Sequence, residues 1–175
     1  MFEPFRILVV YYSRTGTTRR VAQLLASELD ADIEAVRECD GPEARNGASG
    51  YLRSLIDALR HRRAEVMPAL LDVSAYDVVV VGGPVWAGGA CAPVVAWLTL
   101  HGERIRHLAL FCCEGARGSA TAFKQMSEAA GKAPLATCVI TGRDLLGRRD
   151  GKKRDAFEHT IRQRMAAHRE TEWLA

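Results

Sequence analysis

With 175 residues, 48% of them hydrophobic and 26% charged, the chain has enough material for one domain-sized core and lacks the composition of a disordered or fibrous protein. A formal net charge of +3 argues neither for strong nucleic-acid binding nor for an acidic docking surface. Five cysteines (Cys39, Cys91, Cys112, Cys113, Cys138) without C-x-x-C spacing favour neither a zinc site nor a disulfide scaffold, and no apolar run approaches the ~20 residues of a membrane span. The N-terminal apolar patch runs into Ser13 and Thr15 without a leader's cleavage pattern, so the expectation is a soluble cytoplasmic protein with reduced thiols.

In chain order, five short apolar runs rich in β-branched residues read as strands: Ile7 to Tyr12, Ile33 to Arg37, Val78 to Gly82, Leu108 to Cys112 and Ala136 to Thr141. Several are continuously apolar, as expected of strands covered on both faces. Between the first two, Val21, Leu24, Leu25 and Leu29 share a helical face, predicting a helix over 17–29 that the hydroxyl-rich turn before it would cap. Tyr51, Leu52, Leu55, Ile56 and Leu59 predict a second helix. Pro93 starts a third, which carries Trp97 and Leu98 as core residues, and Ser119 caps a fourth that ends at Gly131. A charged helix over 155–173 closes the order, and 37–50 and 141–155 read as loose connections. Strands alternating with helices predict one domain over 1–175, an α/β fold with a doubly wound, five-stranded parallel sheet between two helical layers.

In such sheets ligands bind beyond the carboxyl ends of the strands, which directs attention to the loops after the first, third and fourth runs. Ser13-Arg14-Thr15-Gly16-Thr17-Thr18 leads from a strand into a helix N-terminus, where unpaired N–H groups and the helix dipole favour an anion. Its hydroxyls suit a phosphomonoester, and the G-x-x-x-x-G-K-[ST] pattern of nucleoside triphosphate loops is absent. The alternative is that Thr17 and Thr18 only cap the helix.

After the third run, "GGPVWAGGACAP" places Trp86 between glycines at a loop tip, with the N–H groups of Ala87 to Gly89 nearby, a surface for stacking a flat heterocycle unless the indole folds back as a plug. After the fourth, "CCEGARGSA" brings Glu114 and Arg117 to the same edge. Together the loops point to a mononucleotide with a planar head group. Histidines 61, 101, 107, 159 and 168 fall in helical or connecting regions as solvated side chains, and no catalytic base is nominated.

These loops resemble those of the flavodoxins and flavodoxin-like FMN proteins over essentially the whole chain: "SRTGTT" is similar to the family's phosphate loop, "GGPVWAGGACAPV" to its first flavin loop, and "LFCCEGARG" takes the place of the second. The resemblance implies FMN as cofactor and strand order 2-1-3-4-5. It implies the phosphate at Ser13, Arg14, Thr15, Gly16, Thr17 and Thr18. The isoalloxazine would lie along Pro84, Val85, Trp86, Ala87 and Gly88, its pyrimidine side closed by Cys113, Glu114, Gly115, Arg117 and Gly118. Arg117 beside that edge would favour the anionic reduced flavin, and Glu114 would oppose it.

The implied function is electron transfer with a redox partner protein, or reduction of a small acceptor such as a quinone at the expense of NAD(P)H. Residues 112–120 carry no aromatic, which leaves one face of the ring open to a substrate. Two other readings are weaker: a phosphatase from the C-x5-R spacing of Cys39 and Arg45, and a basic binding module from Arg60, Arg62 and Arg63 with Arg148, Arg149, Lys152, Lys153 and Arg154. A flavin-free scaffold of the same fold is the third alternative.

Overall fold

A computed structural model describes residues 4–39, 64–115 and 117–173. The helix predicted from Tyr51 to Leu59, His61, Arg45 and the Arg60, Arg62 and Arg63 cluster lie outside the described residues.

Strands β1 (Ile7–Tyr11), β2 (Asp32–Ala35), β3 (Val78–Trp86), β5 (His107–Glu114) and β6 (Thr137–Thr141) form a parallel sheet in the order β2-β1-β3-β5-β6, while the two-residue β4 (Gly89–Ala90) pairs antiparallel with the end of β3. Without that hairpin the order is the 2-1-3-4-5 of the resemblance. The helices are α1 (Thr17–Leu29), α2 (Ala92–His101), α3 (Ser119–Ala130), the short α4 (Gly142–Leu146) and α5 (Asp150–Trp173). Among the described residues no helix is long and apolar enough to cross a membrane.

Alternate side chains of each strand point to opposite faces, and this parity builds two cores. Val9, Val80, Ala109 and Phe111 meet Val21, Leu25 and Leu29 of α1 and Phe157, Ile161 and Met165 of α5. Leu8, Val10, Val79, Val81 and Leu110 meet Val94, Trp97 and Leu98 of α2 and Met126 of α3 on the other side. Continuous apolar strands therefore follow from burial on both faces. The register sets Gly82 opposite Phe111, and a Cβ on Gly82 would lie 2.1 Å from the Phe111 ring, so glycine is what lets that ring fill the core.

Three local expectations need correction. The α1 turn is not capped by a side chain, since Gly16 is the N-cap at φ 94° and no side-chain cap bond forms. For α3 the N-cap is Gly118 and Ser119 is the first helical residue. The stretch 141–155 is not loose: the Thr141 hydroxyl accepts the Asp144 N–H at 3.2 Å and Asp144 accepts the Thr141 N–H at 2.8 Å, a reciprocal box that starts α4, and α5 begins five residues earlier than predicted. Lys153 then reaches Asp144 at 2.7 Å, and this bond, with those from Thr141, holds the Asp144 carboxyl well below the usual range.

The remaining basic cluster is divided by its ion pairs. Lys153 is tied to Asp144, and Arg154 is buried against Glu28 of α1 and Asp150, leaving Arg148, Arg149 and Lys152 exposed. His101 also departs from the solvated reading: it is 5% exposed and stacked against Trp97, with ring centroids 4.6 Å apart.

Candidate cofactor cleft at the carboxyl end of the sheet

Strand order reverses between β1 and β3, whose following helices pack on opposite faces, so the loops leaving these strands diverge and open a crevice. A cleft of about 310 Å³ lies there, lined by Arg14, Thr15, Thr17, Thr18, Pro84, Val85, Trp86, Cys113, Glu114, Gly115, Ile140, Gly142 and Leu145. The volume falls at the lower end of ordinary small-ligand sites. A larger hollow of about 580 Å³ sits along the outer edge of β6 against α5, where it gathers no loops from the strand ends, so the smaller cleft is the one with the chemistry.

At one end of the cleft is the start of α1. Ser13 Oγ accepts the Gly16 N–H at 3.1 Å and thereby shapes the turn. Because Gly16 has no side chain and no other residue caps the helix, the first N–H groups of α1 and the exposed hydroxyls of Thr15 and Thr17 face the same region without an internal partner for the helix end. The capping alternative for Thr17 and Thr18 is not what the geometry shows. Thr18 is buried, and its side chain counteracts the rise of the Cys113 thiol's pKa.

The second wall carries Trp86. It is not at a loop tip: β3 continues through it, and Ala87 (φ 49°) and Gly88 (φ 79°) make a two-residue turn back to Gly89. Two left-handed residues in succession are the backbone of a type I′ hairpin turn, which fixes Trp86 on a strand. Its half-buried indole meets the Tyr12 ring edge-on, with centroids 5.6 Å apart, and Tyr12 in turn donates to Glu38 at 3.0 Å. The hairpin is held from below by Gln125 of α3, whose Oε1 accepts the Ala90 N–H at 2.8 Å.

The third wall is the end of β5, which runs through Cys113 and Glu114. Glu114 Oε2 accepts the Ser119 N–H at 2.9 Å, placing its carboxylate at the positive end of α3. Burial pushes the Cys113 thiol up to about 11, against the opposing Thr18 bond, and the Cys112 thiol up to about 12. Both are therefore neutral thiols at physiological pH, and as strand neighbours they point to opposite faces.

Of the residues expected at the site, Ser13, Gly16, Ala87, Gly88, Arg117 and Gly118 do not line the cleft. Ser13, Gly16 and Gly118 shape its turns, Ala87 and Gly88 are exposed at the hairpin, and Arg117 is exposed. Ile140, Gly142 and Leu145 complete the wall although the sequence reading passed over them. The signal for them was present in the Thr141 and Asp144 spacing, which starts a helix directly beyond the last strand's carboxyl end. Cys39, the phosphatase candidate, is exposed at the end of β2's continuation and takes no part.

The fold and cleft can be compared with known proteins. A flavoprotein from Lactobacillus acidophilus, solved in complex with FMN, superposes with a TM-score of 0.69 at 20% identity, covering 87% of this chain and 98% of that one. The apo-form of the flavoprotein from the same organism gives 0.59 at 20% identity over 80% and 93% of the two chains. A flavodoxin, WrbA-like protein from Agrobacterium tumefaciens gives 0.53 at 14% identity over 91% and 98%. No curated relative matches the chain. The family model described as flavodoxin matches residues 6–142, and the chain belongs to the flavodoxin family.

Proposed function

We propose that the chain binds FMN in this cleft and serves in electron transfer. The observation that carries the reading is the meeting, in one cleft, of an uncapped helix start flanked by threonine hydroxyls with a tryptophan fixed on a strand. The first element suits a phosphate dianion and the second a planar ring, and both line the same space. The likeness to a flavoprotein holding FMN supports the same cofactor.

In this reading the α1 N–H groups with Thr15 and Thr17 hold the phosphate, and Pro84, Val85 and Trp86 flank the ring opposite Cys113, Glu114 and Gly115. Bound FMN supplies the electron chemistry, and the protein supplies position, charge and exclusion of water. Among the described residues lining the cleft the one carboxylate, Glu114, is held by the Ser119 N–H. The thiol of Cys113 is held neutral, so this chain's own residues orient and tune rather than transfer protons. The same reading places the protein in the cytoplasm, where its free thiols stay reduced.

A second reading, NAD(P)H-dependent reduction of a quinone, is favoured by one observation: Trp86 is the one aromatic among the described residues lining the cleft, which Ile140, Gly142 and Leu145 complete without a second ring. A small flat acceptor would have room to lie on the second face of the ring.

Purification followed by denaturation tests the cofactor: flavin should be released, or the colourless protein should take up added FMN with measurable heat. A protein that shows neither colour nor heat would end the proposal. Steady NADPH or NADH oxidation with a quinone would select the reductase, whereas reduction only through a partner protein would select the carrier.

A further inference from the structure

The charged side chains lining the cleft are Arg14 and Glu114. Glu114 is already committed to the start of α3 through Ser119, and Arg117 stands exposed away from the lining. Arg14 leaves the backbone inside the phosphate loop, one residue after Ser13, yet its guanidinium carbon lies 5.4 Å from the centroid of the Trp86 ring. The side chain thus carries its positive charge from the loop before α1 to the Trp86 ring. Over an indole, a half-buried guanidinium keeps a defined position and is screened less than one in open solvent.

We propose that Arg14 is the residue that makes the site sensitive to the redox state of the ring, favouring the reduced, anionic ring over the oxidised, neutral one. The inference rests on the FMN reading above. Reduction adds two electrons, from a redox partner or in the test from dithionite, and one proton from solvent, leaving one negative charge on the ring. The phosphate carries the same charge in both redox states. A residue that merely helped hold the phosphate would therefore weaken both forms alike, whereas a cation at the ring acts on one form.

The experiment measures the affinity for oxidised FMN and the two-electron midpoint potential of bound FMN in wild type, Arg14→Ala, Arg14→Lys and Arg117→Ala. Arg14→Ala should weaken the reduced form about tenfold more than the oxidised form, lowering the potential by ~30 mV. Arg14→Lys should recover part of the shift, and Arg117→Ala should match wild type. Equal weakening of both forms, or an unchanged potential, overturns the proposal while leaving the cofactor reading intact. If Arg14→Ala no longer holds FMN, Arg14→Gln and Arg14→Lys provide the same comparison. A wild type that takes up no FMN removes the cofactor reading, and this proposal with it. Tryptophan emission of the flavin-free protein gives an independent readout: it should change in Arg14→Ala and not in Arg117→Ala.

Discussion

Gly118 and Gly88 touch across the cleft's rim so closely that a Cβ on Gly118 would lie 2.7 Å from the Gly88 Cα and 2.8 Å from Val85 Cγ1. Gly118 sits at φ 120°, a conformation that side-chain-bearing residues avoid, and it is also the N-cap of α3. The two flavin-loop candidates are therefore set against each other backbone to backbone, and Val85 links the contact to the cleft wall. Gly118→Ala should force the hairpin outward and weaken FMN binding by at least about tenfold. Gly131→Ala is the control: it too has a positive φ, of 67°, but nothing within 4 Å, so it should cost about 1 kcal/mol of stability and leave FMN affinity unchanged. Equal FMN affinities in both variants would show that the contact does not shape the cleft. Calorimetric titration beside thermal melts separates the two effects.

The hydroxyls of the first loop make a sharper distinction. Thr15 and Thr17 are exposed, line the cleft and do no capping work, so Thr15→Val and Thr17→Val should leave the fold intact. Hydrogen bonds to a charged group contribute roughly 1.5–3 kcal/mol, so each change should weaken FMN about tenfold or more. Riboflavin, which lacks the phosphate, should bind the variants as it binds wild type. A parallel loss with both ligands would place the phosphate elsewhere.

The helical layer beside the site is clamped by a buried ion pair. Arg154 Nε lies 3.0 Å from both Glu28 oxygens and its Nη2 2.9 Å from Oε1, with Asp150 bonded to Nη1. The Arg154 side chain is 9% exposed, so losing it strands carboxylates that are largely out of water. Arg154→Ala should cost about 3 kcal/mol. For a domain of this size that corresponds to a fall in Tm of about 6–12 °C, measurable by calorimetry. Arg162→Ala, which breaks an exposed pair with Glu158, should move Tm by no more than a few degrees. Comparable losses in the two would contradict the buried clamp.

Hydrophobic periodicity made the sheet and α1 legible, because burial on both faces writes β-branched runs and burial on one face writes a helical stripe. The ends of elements were harder to read. β3 was expected to stop at Gly82 but continues to Trp86, because Pro84 can sit opposite Cys113 at the sheet's end and Ala87 accepts a left-handed backbone. Neither property shows in composition. Glu114 lines the cleft as expected, but its bond to the Ser119 N–H exists only once β5 and α3 are placed. Arg154 looked like one of five clustered surface cations, and its burial depends on Glu28, 126 residues away. Such long-range pairings leave no local signature. The fourth wall, Ile140 to Leu145, had one: a capping box after the last strand.

Buried His101 gives the protein an acid-side liability with a definite sign. Neither ring nitrogen finds a hydrogen-bond partner among the described residues, and burial, aided by Arg104, holds its pKa below the ordinary 6.5. Above about pH 6.5 the ring is neutral in both folded and unfolded chains and stability is unaffected. Below it the unfolded chain takes up a proton that the folded chain does not, so stability falls with pH until the folded pKa is reached. At one pH unit below the ordinary value the loss amounts to at most about 1.4 kcal/mol. His101→Phe keeps a flat ring against Trp97 and removes the titration. Urea unfolding at pH 7.5 and 5.5 should show wild type losing up to about that much more than the variant, whose residual slope reports the other titrating groups. Identical slopes would mean that the folded chain protonates this ring as readily as the unfolded one, and burial would not be governing it.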